Sequence, residues 1–158
     1  MNNNDSRFEN DMQIADKAYI DGDYKTAMRR YKYIIDDYKY DSNASKIVKK
    51  AKIKYAEIYL NYRVNEKRNF NREKEILAYL EELNTKDEAE VKALLGIMYA
   101  KGVGLDEKED KSAEVKDLFK QASRDSKAIA LVYNYILEKY NEAKNYEKSS
   151  DYEKAIAV

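Results

Sequence analysis

Small and large side chains alternate through Leu95-Gly96-Ile97-Met98-Tyr99-Ala100-Lys101-Gly102-Val103-Gly104, and Phe119-Lys120-Gln121-Ala122 follows downstream. That alternation lets one helix lie close against another, because a small residue opens a gap and a large one from the neighbour fills it. The same logic recurs near the start, where Ala15 and Ala18 precede Gly22-Asp23-Tyr24 and then Ala27 and Tyr31. It recurs near the end, where Ala143 and Tyr146 precede Asp151-Tyr152-Glu153-Lys154-Ala155. Self-similarity at roughly 30 to 45 residues reads as stacked helical hairpins.

The chain holds no proline and only 4 glycines, so few interior positions break helix. Apolar residues fall at helical rather than alternating spacing, which predicts an all-α fold without strands. A chain of 158 residues is expected to form a single domain over 1–158 and to bury about 70% of its unfolded surface. Its 30 basic and 30 acidic side chains cancel, which argues against a wholesale polyanion binder.

Histidine and cysteine are both absent. The chain therefore lacks the usual proton-transfer side chain near neutral pH, the thiolate nucleophile, the disulfide and the soft metal ligand. No enzyme activity, catalytic residue, cofactor or metal is expected. Gly102-Val103-Gly104 is followed by no Gly-Lys-Ser/Thr and reads as a turn rather than a phosphate loop. Lysine interrupts the acidic run Asp106-Glu107-Lys108-Glu109-Asp110, whose spacing is not that of a calcium loop. The N-terminus carries neither a basic start nor an apolar run, and no segment approaches the roughly 18 apolar residues that cross a bilayer. The expectation is no membrane partner and a cytoplasmic location, with the lysine, asparagine and tyrosine richness pointing to a bacterial source.

The periodicity predicts four hairpins, at about 7–40, 44–84, 86–124 and 126–158. A first helix, 7–20, ends at Gly22, and a second follows over 24–38. Ser42 or Asn43 is expected to cap a third over 44–62, and a polar linker, 65–71, leads to a fourth over 73–83. Thr85 with Glu88 has the pattern of a capping box starting the fifth, which Gly102 and Gly104 stop. A sixth is expected near 112–123 and a seventh over 126–146. Asp151-Tyr152-Glu153-Lys154-Ala155 then begins the second helix of the fourth hairpin, and self-association through this end would cover the apolar face that an incomplete repeat leaves to water.

The pattern Gly-Asp-Tyr-x-x-Ala-x-x-x-Tyr at Gly22 to Tyr31 resembles the tetratricopeptide repeat, and the Leu95 to Gly104 run with Phe119-x-x-Ala122 is similar to its Sel-one-like subfamily. The resemblance implies a right-handed α-α superhelix, a solenoid of antiparallel helical hairpins with about 3.5 repeats. It also implies an adaptor that holds a peptide or partner helix on its concave face, lined by the first helix of each hairpin. By position that face would comprise Met12, Asp16, Tyr19 and Ile20, then Lys50, Ile53, Lys54 and Glu57, then Leu94, Ile97 and Lys101. Asp16 stands where some relatives carry the asparagine of a carboxylate clamp, so recognition of a chain terminus of that kind is not implied.

Charge supplies one local anomaly. Residues 43–74 hold ten basic side chains against three acidic ones, and Lys46, Lys50 and Lys54 share one helix face. As a functional surface this would dock an acidic protein or, less readily, a nucleic-acid backbone. The plainer expectation is a face neutralised by acidic residues of neighbouring helices. Sixteen tyrosines could serve as binding hot spots, but Tyr24, Tyr31, Tyr99 and Tyr152 sit where such repeats place aromatics between helices. The function expected is a non-catalytic protein-interaction scaffold, with an inhibitor or immunity-type protein that sequesters one toxin or enzyme as the alternative and a nucleic-acid-binding helper as the next.

Overall fold

The computed structural model of the chain describes residues 3–61 and 67–157, with side chains over 7–61, 67–145 and 147–148. Tyr62, Arg63, Asn65 and Glu66 lie outside the described residues, as does the side chain of Tyr152. Among the described residues seven α-helices follow one another: α1 Asn3–Ile20, α2 Tyr24–Asp37, α3 Ser45–Asn61, α4 Phe70–Leu83, α5 Ala89–Lys101, α6 Ser112–Ala122 and α7 Ser126–Ala157. No strand occurs among the described residues, as the periodicity predicts.

Local chemistry explains where each helix begins and ends. Gly22, at φ 78°, turns the chain out of α1, and its N–H and that of Asp23 close the helix end on the carbonyls of Tyr19 and Ala18. Asp23 then caps α2 by accepting from the Thr26 N–H at 3.1 Å, and hydrogen bonding from the Thr26 hydroxyl first, and from this N–H second, holds its carboxyl below the usual range. The cap of the next segment is Asp41, not Ser42 or Asn43. Its carboxylate accepts from the Asn43 N–H at 2.9 Å and starts a 3-10 turn, Ser42–Ala44, that runs into α3. Asn69 caps α4 through the Arg72 N–H at 3.0 Å, so this helix starts at Phe70, before the expected 73.

The expected capping box at Thr85 does not form, and α5 starts at Ala89 without a side-chain cap. Both members of the box are engaged elsewhere. The Thr85 N–H, which the Glu88 carboxylate would reach in such a box, donates to the Leu83 carbonyl at 2.9 Å, and the Glu88 carboxylate pairs with Lys49, while the Thr85 carbonyl accepts from the buried Lys92 ammonium at 2.7 Å. The expected fourth hairpin is likewise absent, because α7 continues as one helix of 32 residues. Ser149, Ser150 and Asp151 offer capping chemistry, but no glycine or proline interrupts the chain after Gly104 to force a turn.

The core runs along the stack. Tyr31, Ile34, Ile58, Ile76, Leu80, Leu94, Leu95 and Met98 are fully buried, and Ala93, Ala122 and Ala128 close the small junction of α5, α6 and α7. Each helix packs on its neighbour in sequence, and α1 on α3, α3 on α5, and α5 on α7 pack as well. Among the described residues, the backbones of α2, α4 and α6 do not approach one another closely, and α2 reaches α4 only through the Lys32 side chain. The loop after α5 is pinned at Gly104, where a Cβ would lie 2.7 Å from the carbonyl oxygen of Glu73.

Candidate functional site

Where α1, α2 and α3 meet, a group of polar and aromatic side chains stands half-buried at the rim of the core. Asp16 and Tyr19 come from the same side of α1, three residues apart, and Lys54 and Glu57 stand three apart on α3. The Tyr19 hydroxyl donates to Glu57 Oε1 at 2.9 Å, joining two helices across 38 residues of sequence. Lys54 Nζ lies 4.3 Å from the centroid of the Tyr19 ring and 3.6 Å from Glu57 Oε2, so one ammonium bridges the aromatic face and the carboxylate. The Tyr31 hydroxyl donates to Asp16 Oδ1 at 2.6 Å. Burial first, and then the bond to Asp16, push the Tyr31 hydroxyl far above its ordinary range, so it remains a neutral donor. Tyr24 closes the group edge-on against Tyr19, with ring centroids 5.7 Å apart.

Four of the expected groove residues, Asp16, Tyr19, Lys54 and Glu57, are thus brought together. Others are not. Met12, Leu94 and Ile97 are buried, with 8%, 0% and 2% exposure, so they pack the core instead of lining an open groove. The physical reason is that α1, α3 and α5 pack on one another, which turns these apolar positions inward. Ile53 is half-buried against the same core, and Ile20, at 80% exposure, stands clear of it. Lys101 Nζ lies 3.4 Å from both carboxylate oxygens of Glu138, so α7 covers the α5 end of the face.

The basic segment is largely neutralised from outside. Lys49 pairs with Glu88, Lys52 Nζ lies 3.8 Å from Glu82, and Lys74 Nζ lies 3.6 Å from Asp106. Arg68 forks onto the buried Glu73 carboxylate, with Nε at 2.8 Å and Nη2 at 3.1 Å. Lys46 and Lys50 are exposed on α3 and make no ion pair among the described residues. A polar junction that sequence reasoning missed joins α2 to α4. Lys32 contacts Glu75, lies 3.0 Å from Asp36 and donates to the Tyr79 hydroxyl at 3.1 Å, while Lys52 sits over the Tyr79 ring at 5.0 Å. These partners are separated by up to 47 residues, a distance at which one sequence carries no pairing signal.

A second concavity, of about 710 Å³, lies between the start of α4 and the α5–α6 loop, with Phe70, Leu105, Asp106, Glu107 and Glu109 on its walls. Its buried carboxylate, Glu73, is already held by Arg68. Among the described residues no three His, Cys, Asp or Glu gather closely enough to hold a metal ion, and no helix is long and apolar enough to cross a membrane. Comparison with protein-family models, curated proteins and solved structures returned no match.

Proposed function

We propose that the chain is a non-catalytic helical-repeat scaffold that holds another protein or peptide on the face presented by α1 and α3. The observation that carries this reading is the asymmetry of packing: the backbones of the odd-numbered helices approach one another in succession, whereas among the described residues those of α2, α4 and α6 do not, and only the long Lys32 side chain reaches from α2 to α4. A stack closer on one side than on the other curves, with the odd helices inside, and this supports the superhelix that the tetratricopeptide and Sel-one-like resemblance implies. The inner rim offers Tyr19, Lys54 and Glu57, an aromatic ring, an ammonium and a carboxylate in one group at the edge of the core, where Lys54 is the more exposed partner and Glu57 the more buried. Such a group recognises a peptide by hydrogen bonds and charge, with Lys50 and Lys46 extending it toward an acidic segment. The acidic neighbours of Lys49, Lys52, Lys54 and Lys74 weigh against a nucleic-acid backbone as the ligand.

The test is affinity capture from the source cell with the parent chain and with Tyr19→Ala and Lys54→Glu, each checked for helix content by circular dichroism. The expected result is one protein recovered with the parent and lost with both variants at unchanged helicity. Equal recovery with folded variants would place the binding face elsewhere.

A further inference from the structure

In a chain that is 38% charged, residues 128–137 contain no charge at all. They lie on α7, where one side is accounted for: Ala128, Leu131, Val132 and Tyr135 pack against the core. The other side is open, with Ile129 at 45%, Tyr133 at 61%, Ile136 at 55% and Tyr140 at 55% exposure. A helix that is apolar all round belongs in an interior. Elsewhere among the described residues the exposed large apolar side chains are dispersed over several helices, as Ile14 of α1, Tyr33 of α2 and Phe70 of α4.

We infer that this open face of α7 is a homodimer interface, on which the α7 of a second copy packs antiparallel. The open residues Ile129, Tyr133, Ile136, Tyr140 and Ala143 follow one another at spacings of four, three, four and three. That is the 3.5-residue repeat of a two-helix coiled-coil seam, with Leu137, 42% exposed, flanking it. The seam is complementary to itself when one helix is reversed. Ile129 then faces Tyr140 of the second copy and Tyr133 faces Ile136, so the central layers are apolar, and Ala143 meets the small Ser126 at each end. The charges at the ends match as well. In this register Asp125, which caps α7 through the N–H groups of Lys127 and Ala128, stands opposite Lys144 of the second copy. Lys144 holds its ammonium 4.9 Å from its own Tyr140 ring, at the rim of the seam. Symmetry makes this pairing twice, whereas a parallel arrangement would set Lys144 beside Lys144. The exposed parts of the seam amount to roughly 500 Å² per copy, at the low end for a specific interface, so the dimer is a weak one that concentration drives. The inference is independent of the face proposed for α1 and α3.

Sedimentation velocity of the whole chain from micromolar to millimolar concentration tests it, with cysteine cross-linking to read the register. The expected result is a reversible monomer–dimer equilibrium, with Ile136→Glu and Tyr133→Lys each weakening association by about tenfold or more, because each would bury an unpaired charge. Circular dichroism identifies any variant that loses its fold, and the other then carries the comparison. The chain has no cysteine of its own, so an Ile129→Cys chain mixed with a Tyr140→Cys chain is expected to form an intermolecular disulfide under mild oxidation. Ile129→Cys alone is not, because antiparallel pairing sets its two copies about 16 Å apart along the axis. A chain that stays monomeric throughout, a dimer indifferent to both folded variants, or ready self-cross-linking of Ile129→Cys would each overturn the proposal.

Discussion

Gly96 of α5 lies directly against the ring of Phe119 on α6: a Cβ built on Gly96 would meet Phe119 Cε1 at 2.6 Å and Cδ1 at 2.8 Å. The missing side chain is what lets α5 and α6 approach. Glycine within a helix costs about 1 kcal/mol relative to alanine, so it is kept here by the contact, not by the helix. Gly96→Leu is expected to destabilise by about 1–3 kcal/mol or more, since the ring must be driven from its place. Phe119→Ala introduced together with Gly96→Leu should recover part of that loss. Urea unfolding of the two single variants and the double variant measures the coupling, and additive losses would mean that the two positions do not share this contact.

That relationship was legible in the sequence. Leu95 to Gly104 and Phe119-x-x-Ala122 are local signals, in which small and large residues sit at helical spacing and glycines mark the stop. Helix order and the burial of Tyr31, Ile34, Ile35 and Met98 follow from such signals. The start of α5 does not, because the Glu88 carboxylate is drawn to Lys49, 39 residues away, and not back to Thr85. The candidate face was half legible. Spacing placed Asp16 with Tyr19 and Lys54 with Glu57, but the depth at which Met12, Leu94 and Ile97 are buried depends on how closely α1, α3 and α5 stack, which no single helix encodes.

Gly104 and Gly22 offer a graded comparison. Both have φ of 78°, where a side chain is strained, but a Cβ on Gly22 would meet nothing within 4 Å whereas one on Gly104 would lie 2.7 Å from the Glu73 carbonyl oxygen. Gly22→Ala should therefore cost about 1–2 kcal/mol from backbone conformation alone. Gly104→Ala should cost more, because the backbone of α4 cannot swing aside as a flexible side chain would. Equal losses in denaturant unfolding would show that the loop after α5 is not pinned on α4.

Tyr38 gives the fold an alkaline limit. Its hydroxyl is buried and donates to Asp11 Oδ2 at 2.5 Å, and burial followed by this bond pushes its pKa up to about 12, from about 10 in the unfolded chain. The folded state therefore favours the neutral form. The contribution of Tyr38 is fully present below pH about 10 and is lost as pH rises through about 12. Tyr38→Phe should lower stability by about 1–3 kcal/mol at neutral pH by removing the bond to a carboxylate. The gap between parent and variant should then close toward pH 12. A gap that stays constant across that window in denaturant titrations would mean that Tyr38 does not titrate in the folded protein as its surroundings require.

The lysines of α3 separate paired charge from idle charge. Lys46 is exposed and forms no ion pair among the described residues, so Lys46→Glu should change stability by less than about 0.5 kcal/mol. Lys54 differs, because its ammonium lies over the Tyr19 ring and 3.6 Å from Glu57. Lys54→Glu would bring a second carboxylate beside Glu57 and expose the ring face to like charge. The cost should be about 1 kcal/mol at low ionic strength, larger than an ordinary surface pair because Glu57 is well buried and tied to Tyr19. Salt discriminates the two terms. Repulsion between the carboxylates should shrink as ionic strength rises, whereas the lost contact with Tyr19 is packing in part and should persist. Thermal unfolding of both variants at low and high salt measures this, and a Lys54→Glu no different from Lys46→Glu under either condition would show that the Tyr19–Lys54–Glu57 group is not held together in solution.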